Sequence, residues 1–272
     1  MDARLQRRVQ RYGWDKASGA YEQFWGRHLE PAKARLLALA DIQPGERVLD
    51  VACGTGLVTF AAAEAVGAGG SVVGTDLSQE MVARAADTAR ARGVTNATFE
   101  RMDAEDLRCA PHAFDAVLCA LGLMYVPDPQ HAVAEMHRVL RPRGRAVVTV
   151  WGARNRCGWA EIFPIVDRRV ASEVCPMFFQ LGTGDMLLQT MQAAGFTGTR
   201  VERISATIAY ASDEEALGAA FAGGPVALAY ARFDQDTRAG AHREYLESLA
   251  PYRRGDGYDV PGEFVIARGE SR

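Results

Sequence analysis

The chain has 272 residues, 48% hydrophobic and 24% charged, with a formal net charge of −3. That much apolar material can bury a sizeable core, as one large domain or two small ones. The mild acidity excludes a protein built to grip a phosphate backbone, and no apolar run is long enough to span a membrane.

The first 45 residues read as a helical arm. An aromatic stretch (Tyr12, Trp14, Tyr21, Phe24, Trp25) precedes an amphipathic helix over 31–40, and Pro44-Gly45 marks the junction of the arm with the rest of the chain. From residue 46 short apolar runs alternate with helical patterns, a βαβ succession that predicts a doubly wound, Rossmann-like α/β fold with an open parallel sheet. Strands are expected over 48–51, 71–75, 98–101, 116–119 and 145–151, and helices over 57–66, 78–92 and 129–140. Ser78 is the expected N-cap of the second helix and Gly93 its C-terminal stop. Beyond residue 151 the pattern loosens. A helix over 186–194 and a strand over 200–209 are followed by a helical excursion from 212 to 250 and a last strand over 263–268. Some forty residues between two strands is long for a hairpin connection, so this segment reads as a cap rather than a second core. The expected organisation is an arm over 1–45 and a core over 46–272, with cap segments at about 152–184 and 210–260.

The chemistry concentrates in Val48-Leu49-Asp50-Val51-Ala52-Cys53-Gly54-Thr55-Gly56 and Val72-Val73-Gly74-Thr75-Asp76. A strand enters a glycine turn and a helix, then a second strand ends in a carboxylate, which places a nucleotide crevice at the C-terminal edge of the sheet. The dinucleotide fingerprint G-x-G-x-x-G fails because Thr59 stands at its third glycine. Asp50 would repel a pyrophosphate but attract a cation, and S-adenosylmethionine (SAM) carries a sulfonium and an ammonium instead of phosphates. Asp76 fits a carboxylate that accepts both ribose hydroxyls, which suits either nucleotide. SAM is therefore the expected cofactor. A dinucleotide-dependent oxidoreductase and a non-catalytic SAM-binding sensor or scaffold are the alternatives.

Five blocks carry a resemblance: Asp50 to Gly56; Gly74 to Ser78 with Met81; Asp103-Ala104-Glu105-Asp106-Leu107; Phe114-Asp115-Ala116-Val117; and Val139 to Gly144. In order and spacing they resemble the class I SAM-dependent methyltransferases, in particular the small-molecule group that includes the ubiquinone/menaquinone-biosynthesis enzymes. Ala52 departs from the pattern where many members have a glycine, and Arg143 departs within a turn usually written Arg-Pro-Gly-Gly. The resemblance implies an antiparallel last strand. It also implies that Asp50, Ala52, Gly54, Thr55 and Gly56 line the methionine end, Asp76 the ribose, Leu77 and Met81 the adenine face, and Asp103 and Ala104 its edge. Cys119 would close the floor.

A small-molecule methyl acceptor is expected, because Leu121-Gly122-Leu123-Met124-Tyr125 lacks the Asn/Asp-Pro-Pro-Tyr pattern of amide-nitrogen methylation. Tyr21, Trp25, Met124, Tyr125 and Trp151, with Trp159 behind them, are the candidate walls of its pocket. No catalytic residue is assigned. His28, His112, His131, His137 and His242 are each weak candidates for a base, Tyr21 or Tyr125 would orient an acceptor hydroxyl, and Arg154 and Arg156 would meet a carboxylate. Arg138, Arg141, Arg143 and Arg145 read as a solvated face around a turn. The cysteines at 53, 109, 119, 157 and 175 lack metal-ligand or C-x-x-C spacing, so no metal and no disulfide are expected. The first fifteen residues lack the apolar core of a signal peptide, and a cytoplasmic protein with no nucleic-acid or membrane partner is the expectation. A homodimer is left open.

Overall fold

The computed structural model describes residues 2–170 and 175–272. Residues 171–174, inside the first expected cap segment, lie outside the described residues. Eight strands form one sheet: β1 (Arg47–Val51), β2 (Ser71–Asp76), β3 (Ala97–Arg101), β4 (Phe114–Ala120), β5 (Leu140–Trp151), β6 (Thr197–Tyr210), β7 (Arg253–Arg254) and β8 (Gly257–Glu270). Their order is β3-β2-β1-β4-β5-β8-β6, with β7 paired to β8. β1 to β5 are mutually parallel, while β8 runs antiparallel to both β5 and β6. The sheet is thus mostly parallel with a reversed final strand.

Eleven α-helices flank it among the described residues: α1 (Ala3–Ala17), α2 (Tyr21–Trp25), α3 (Glu30–Ala40), α4 (Leu57–Val66), α5 (Gln79–Arg92), α6 (Pro129–Val139), α7 (Ile162–Asp167), α8 (Met186–Ala193), α9 (Asp213–Leu217), α10 (Ala227–Tyr230) and α11 (Gln235–Leu249). Local chemistry sets their ends. Ser78, Asp128, Ser212 and Asp234 each accept a backbone N–H at the start of α5, α6, α9 and α11. Gly93 ends α5 at φ +66, a conformation costly for a side chain. One core layer joins Leu36 and Leu39 of α3 to Val58, Ala62 and Val66 of α4 over Val48, Val72 and Leu118. The third arm helix is therefore a layer of the sheet fold, whereas α1 and α2 lie over the strand ends. The other layer carries α6, α8 and the segments that return over the site.

Two sequence readings change. β5 begins at Leu140, earlier than expected, because Phe114 pairs with Leu140 and Ala116 with Arg145 around a bulge at 141–144. Arg143 sits there at φ 67. Nor is the arginine cluster a solvated face throughout. Arg145 is buried, grips Glu46 through two bonds of 2.6 and 2.7 Å, and donates to the carbonyls of Ala40 and Asp41. A guanidinium's fork suits this geometry, and the clamp fixes the end of α3 to the mouth of β1.

Candidate active site

Three cavities meet at the C-terminal ends of β1, β2 and β4. The first is a cleft of about 750 Å³, counted with its mouth open to solvent, between Gly54, Asp76, Leu77, Met81, Asp103, Ala104 and the inner face of α1. The second, about 510 Å³, is lined by Asp50, Ala52, Cys53, Gly54 and Lys33. The third, about 550 Å³, is an aromatic chamber under the cap.

The acids come from strand ends. Asp76 closes β2, where Oδ2 accepts the Gly54 N–H and Oδ1 the Ser78 N–H, both at 2.8 Å. Each oxygen retains a lone pair for a ligand hydroxyl. Burial lifts this carboxyl to about 6, against the pull of those two backbone bonds. Asp50 is 1% exposed, and its Oδ2 accepts the Thr59 hydroxyl at 2.6 Å. Thus Thr59, the residue that breaks the dinucleotide fingerprint, orients the acid. Its Oδ1 is buried without a hydrogen-bond partner. Burial raises Asp50 to about 7; the Thr59 bond opposes this and the Asp76 charge adds to it. An orphaned buried oxygen in a cavity wall suits a ligand that brings a cation or a hydrogen-bond donor.

The turn between them is tight. Ala52 takes φ 57 where a glycine would be at ease, and a Cβ on Gly122 would fall 2.3 Å from the Ala52 methyl. Leu121 also sits at φ 60, with its N–H held by the Thr149 carbonyl at 2.8 Å. That strain turns its side chain to the junction, where Leu121 lines all three cavities.

α1 is latched over the first cavity. Arg7 pairs with Asp103 at 3.0 Å and with Glu105 at 2.7 Å. Asp15 accepts the Ser78 hydroxyl at 2.6 Å. The aromatic chamber gathers all four tryptophans of the chain, Trp14, Trp25, Trp151 and Trp159. Ring centroids lie 6.0 Å apart for Trp25–Trp151, 5.9 Å for Trp25–Trp159 and 4.9 Å for Trp151–Trp159, all edge-on. Tyr125, Phe163, Phe178 and Tyr245 complete the walls. Trp25 Nε1 donates to the Ala219 carbonyl at 3.1 Å, which ties the arm to the π-helical turn Gly218–Ala222.

Of the residues singled out from sequence, Asp50, Ala52, Gly54, Asp76, Leu77, Met81, Asp103 and Ala104 line the first two cavities, and Tyr21, Trp25, Tyr125, Trp151 and Trp159 line the chamber. Four do not reach a cavity wall. Cys119 points into the core, and its neighbours Ala120 and Leu121 form the floor instead. Met124 is likewise core. Thr55 is buried, and Gly56 turns the chain into α4 at φ 93. Arg7, Gln10 and Lys33 line cavities but went unread in the sequence, since only the packing of the arm brings them there.

No histidine among the described residues lines these cavities. His28 stacks edge-on against Trp25 and Tyr210, and burial lowers it to about 4. Arg154 pairs with Glu161 outside the site. Burial raises Cys53 well above the usual thiol range and Cys119 to about 12, so neither offers a thiolate.

The sheet is doubly wound with a reversed last strand, and Asp50 and Asp76 stand together at the C-terminal ends of its first two strands. Residues 48–144 match the family described as methyltransferase domain. The nocamycin O-methyltransferase of Saccharothrix syringae is 38% identical over 136 residues, 50% of this chain and 49% of that protein. The demethylmenaquinone methyltransferase of Bacillus cytotoxicus is 35% identical over 127 residues, 47% of this chain and 54% of that one. The chain therefore spans about half the length of these curated relatives. The YcgJ protein of Bacillus subtilis shares the fold at TM-score 0.62 and 19% identity, covering 89% of this chain and 99% of that one.

Proposed function

We propose that this protein transfers a methyl group from SAM to an apolar, aromatic small molecule. The observation that carries this reading is the abutment of two unlike spaces: an acid-bearing cleft on the strand ends opens, across Tyr21, Leu121 and Tyr125, into a chamber holding every tryptophan of the chain. Asp76 would hold the ribose hydroxyls, with Leu77 and Met81 against the adenine and Asp103 and Ala104 at its edge. Asp50 Oδ1 would meet the ammonium, and Lys33, which pairs with Glu30 at 2.6 Å, would meet the carboxylate at the same end. The names of the two relatives, an O-methyltransferase and a demethylmenaquinone methyltransferase, support a small organic acceptor.

SAM supplies an activated methyl group: the acceptor's lone pair bonds to that carbon as the carbon–sulfur pair returns to sulfur. The protein's share is alignment and dryness. The aromatic walls exclude water and hold a flat ring against the junction. Tyr21 and Tyr125 are held protonated by burial, so they donate hydrogen bonds and take no proton. Neither tyrosine takes the acceptor's proton, which favours acceptors that enter the chamber already ionised. The arm over 1–45, with the segments at about 152–184 and 210–260, would close the site.

Release of S-adenosylhomocysteine (SAH) across phenols, quinols, amines and thiols tests this reading. Turnover with aromatic hydroxyl compounds is expected. Tight SAM binding with no SAH from any acceptor would instead select a sensor or scaffold.

A further inference from the structure

The junction of the three cavities has a single aromatic wall. Tyr21 and Leu121 are the two residues shared by all three linings. If adenosine fills the first cavity, the methionine end the second and the acceptor the third, the sulfonium must lie where the three meet. Tyr21 stands there from the arm side. A Cβ built on Gly54 would lie 3.9 Å from its Cε1, and Trp14 braces the ring edge-on at a centroid distance of 5.7 Å. The hydroxyl makes no hydrogen bond among the described residues, so the ring is placed by packing alone.

We propose that Tyr21 is the positioning residue for the sulfonium, its ring attracting the charged donor and losing that attraction when the methyl departs. The inference rests on the function proposed above and adds a selectivity. An aromatic face draws a cation, more strongly where water is excluded. SAM carries the sulfonium charge, whereas SAH is a neutral thioether. The ring thus favours substrate over product, and product leaves more readily. Because the charge is consumed during transfer, the attraction belongs to the bound ground state. Tyr21 should therefore govern donor affinity and donor-to-product selectivity.

Isothermal titration of SAM and of SAH tests this without knowledge of the acceptor. Tyr21→Leu is expected to weaken SAM about 5- to 30-fold while SAH changes less than threefold, and Tyr21→Phe to keep the selectivity of the parent protein. Equal losses for the two ligands, or no loss for SAM, would overturn the inference. Should Tyr21→Leu fail to fold, fluorinated phenylalanines introduced at position 21 keep the shape while draining the ring of electron density. SAM affinity should fall stepwise along that series while SAH affinity stays level. A level series for SAM overturns the sulfonium role alone. A parent protein that binds neither ligand overturns the cofactor reading, and this inference with it.

Discussion

The acid-bearing cleft and the aromatic chamber share a wall yet are assembled by opposite rules. The cleft is made from the ends of β1, β2, β3 and β4, so its polar residues are fixed by sheet register: Asp50 is paired with Gly74 in the ladder, and Asp76 with Arg101. The chamber borrows from α1, α2, α7, the stretch holding Phe178, and the cap that carries Ala219, Val226 and Tyr245. A rigid sheet edge can keep one nucleoside site constant. A chamber assembled from distant segments can be reshaped for a different acceptor without disturbing that site.

If the two spaces are separable, mutations should divide cleanly between them. The largest effect is expected from Asp76→Ala, which should weaken SAM by about 1–3 kcal/mol in calorimetry through loss of charge-assisted ribose bonds. Unchanged affinity would remove the ribose assignment. Next, Trp25→Leu should raise the acceptor KM by about 1–2 kcal/mol equivalent while SAM affinity stays within twofold. A matching loss of SAM affinity would break the comparison, because the chamber would then be part of the nucleoside site.

Acidity gives a third contrast. In the free protein Asp50 stands near 7 and Asp76 near 6, both raised chiefly by burial. A bound cation favours the ionised carboxylate, so binding releases a proton wherever the free group is protonated. SAM affinity should be full above pH 7 and fall as pH drops through 7, by up to about tenfold per unit for one carboxylate. Asp50→Asn should remove the upper part of that dependence, and the same slope in the variant would show that Asp50 does not face the cation. The smallest effect is expected from Arg7→Ala. Its part-buried ion pairs with Asp103 and Glu105 carry about 0.2–1 kcal/mol, so SAM dissociation followed by stopped-flow tryptophan fluorescence should quicken about 1.4- to fivefold. An unchanged rate would mean that α1 does not gate the cleft.

The sequence spoke clearly where local rules suffice. The strand into Gly54, the carboxylate that ends β2, the Ser78 cap and the Gly93 stop all come from neighbours within a few residues, and the sheet confirms the elements they predicted. It misled where a single residue decides direction. Cys119, expected on the floor, is a core residue of β4, and the floor is lined instead by Ala120 at the strand's end and Leu121 in the turn after it. The left-handed turn at Leu121 then swings the chain so that Met124 falls into the core. Arg145 was misread because its partners, Glu46 and the carbonyls of Ala40 and Asp41, are brought to it only by the fold. Arg7 and Lys33 were silent for the same reason, since charged residues on arm helices carry no local mark of what they will face. The gathering of the tryptophans was half legible: Trp25, Trp151 and Trp159 were expected around a pocket, but the contributions of Trp14, Phe163, Phe178 and Tyr245 were not.

The contact between Ala52 and Gly122 constrains how this site can change over generations. With the Ala52 methyl lodged against Gly122, any side chain at 122 must wait until position 52 has shed its own. Gly122→Ala alone would meet a collision, while Ala52→Gly first opens the way at little cost. The two positions can thus change only in a fixed order. Histories that step through the bare pair, glycine at both, are passable, and those that attempt the reverse order are closed.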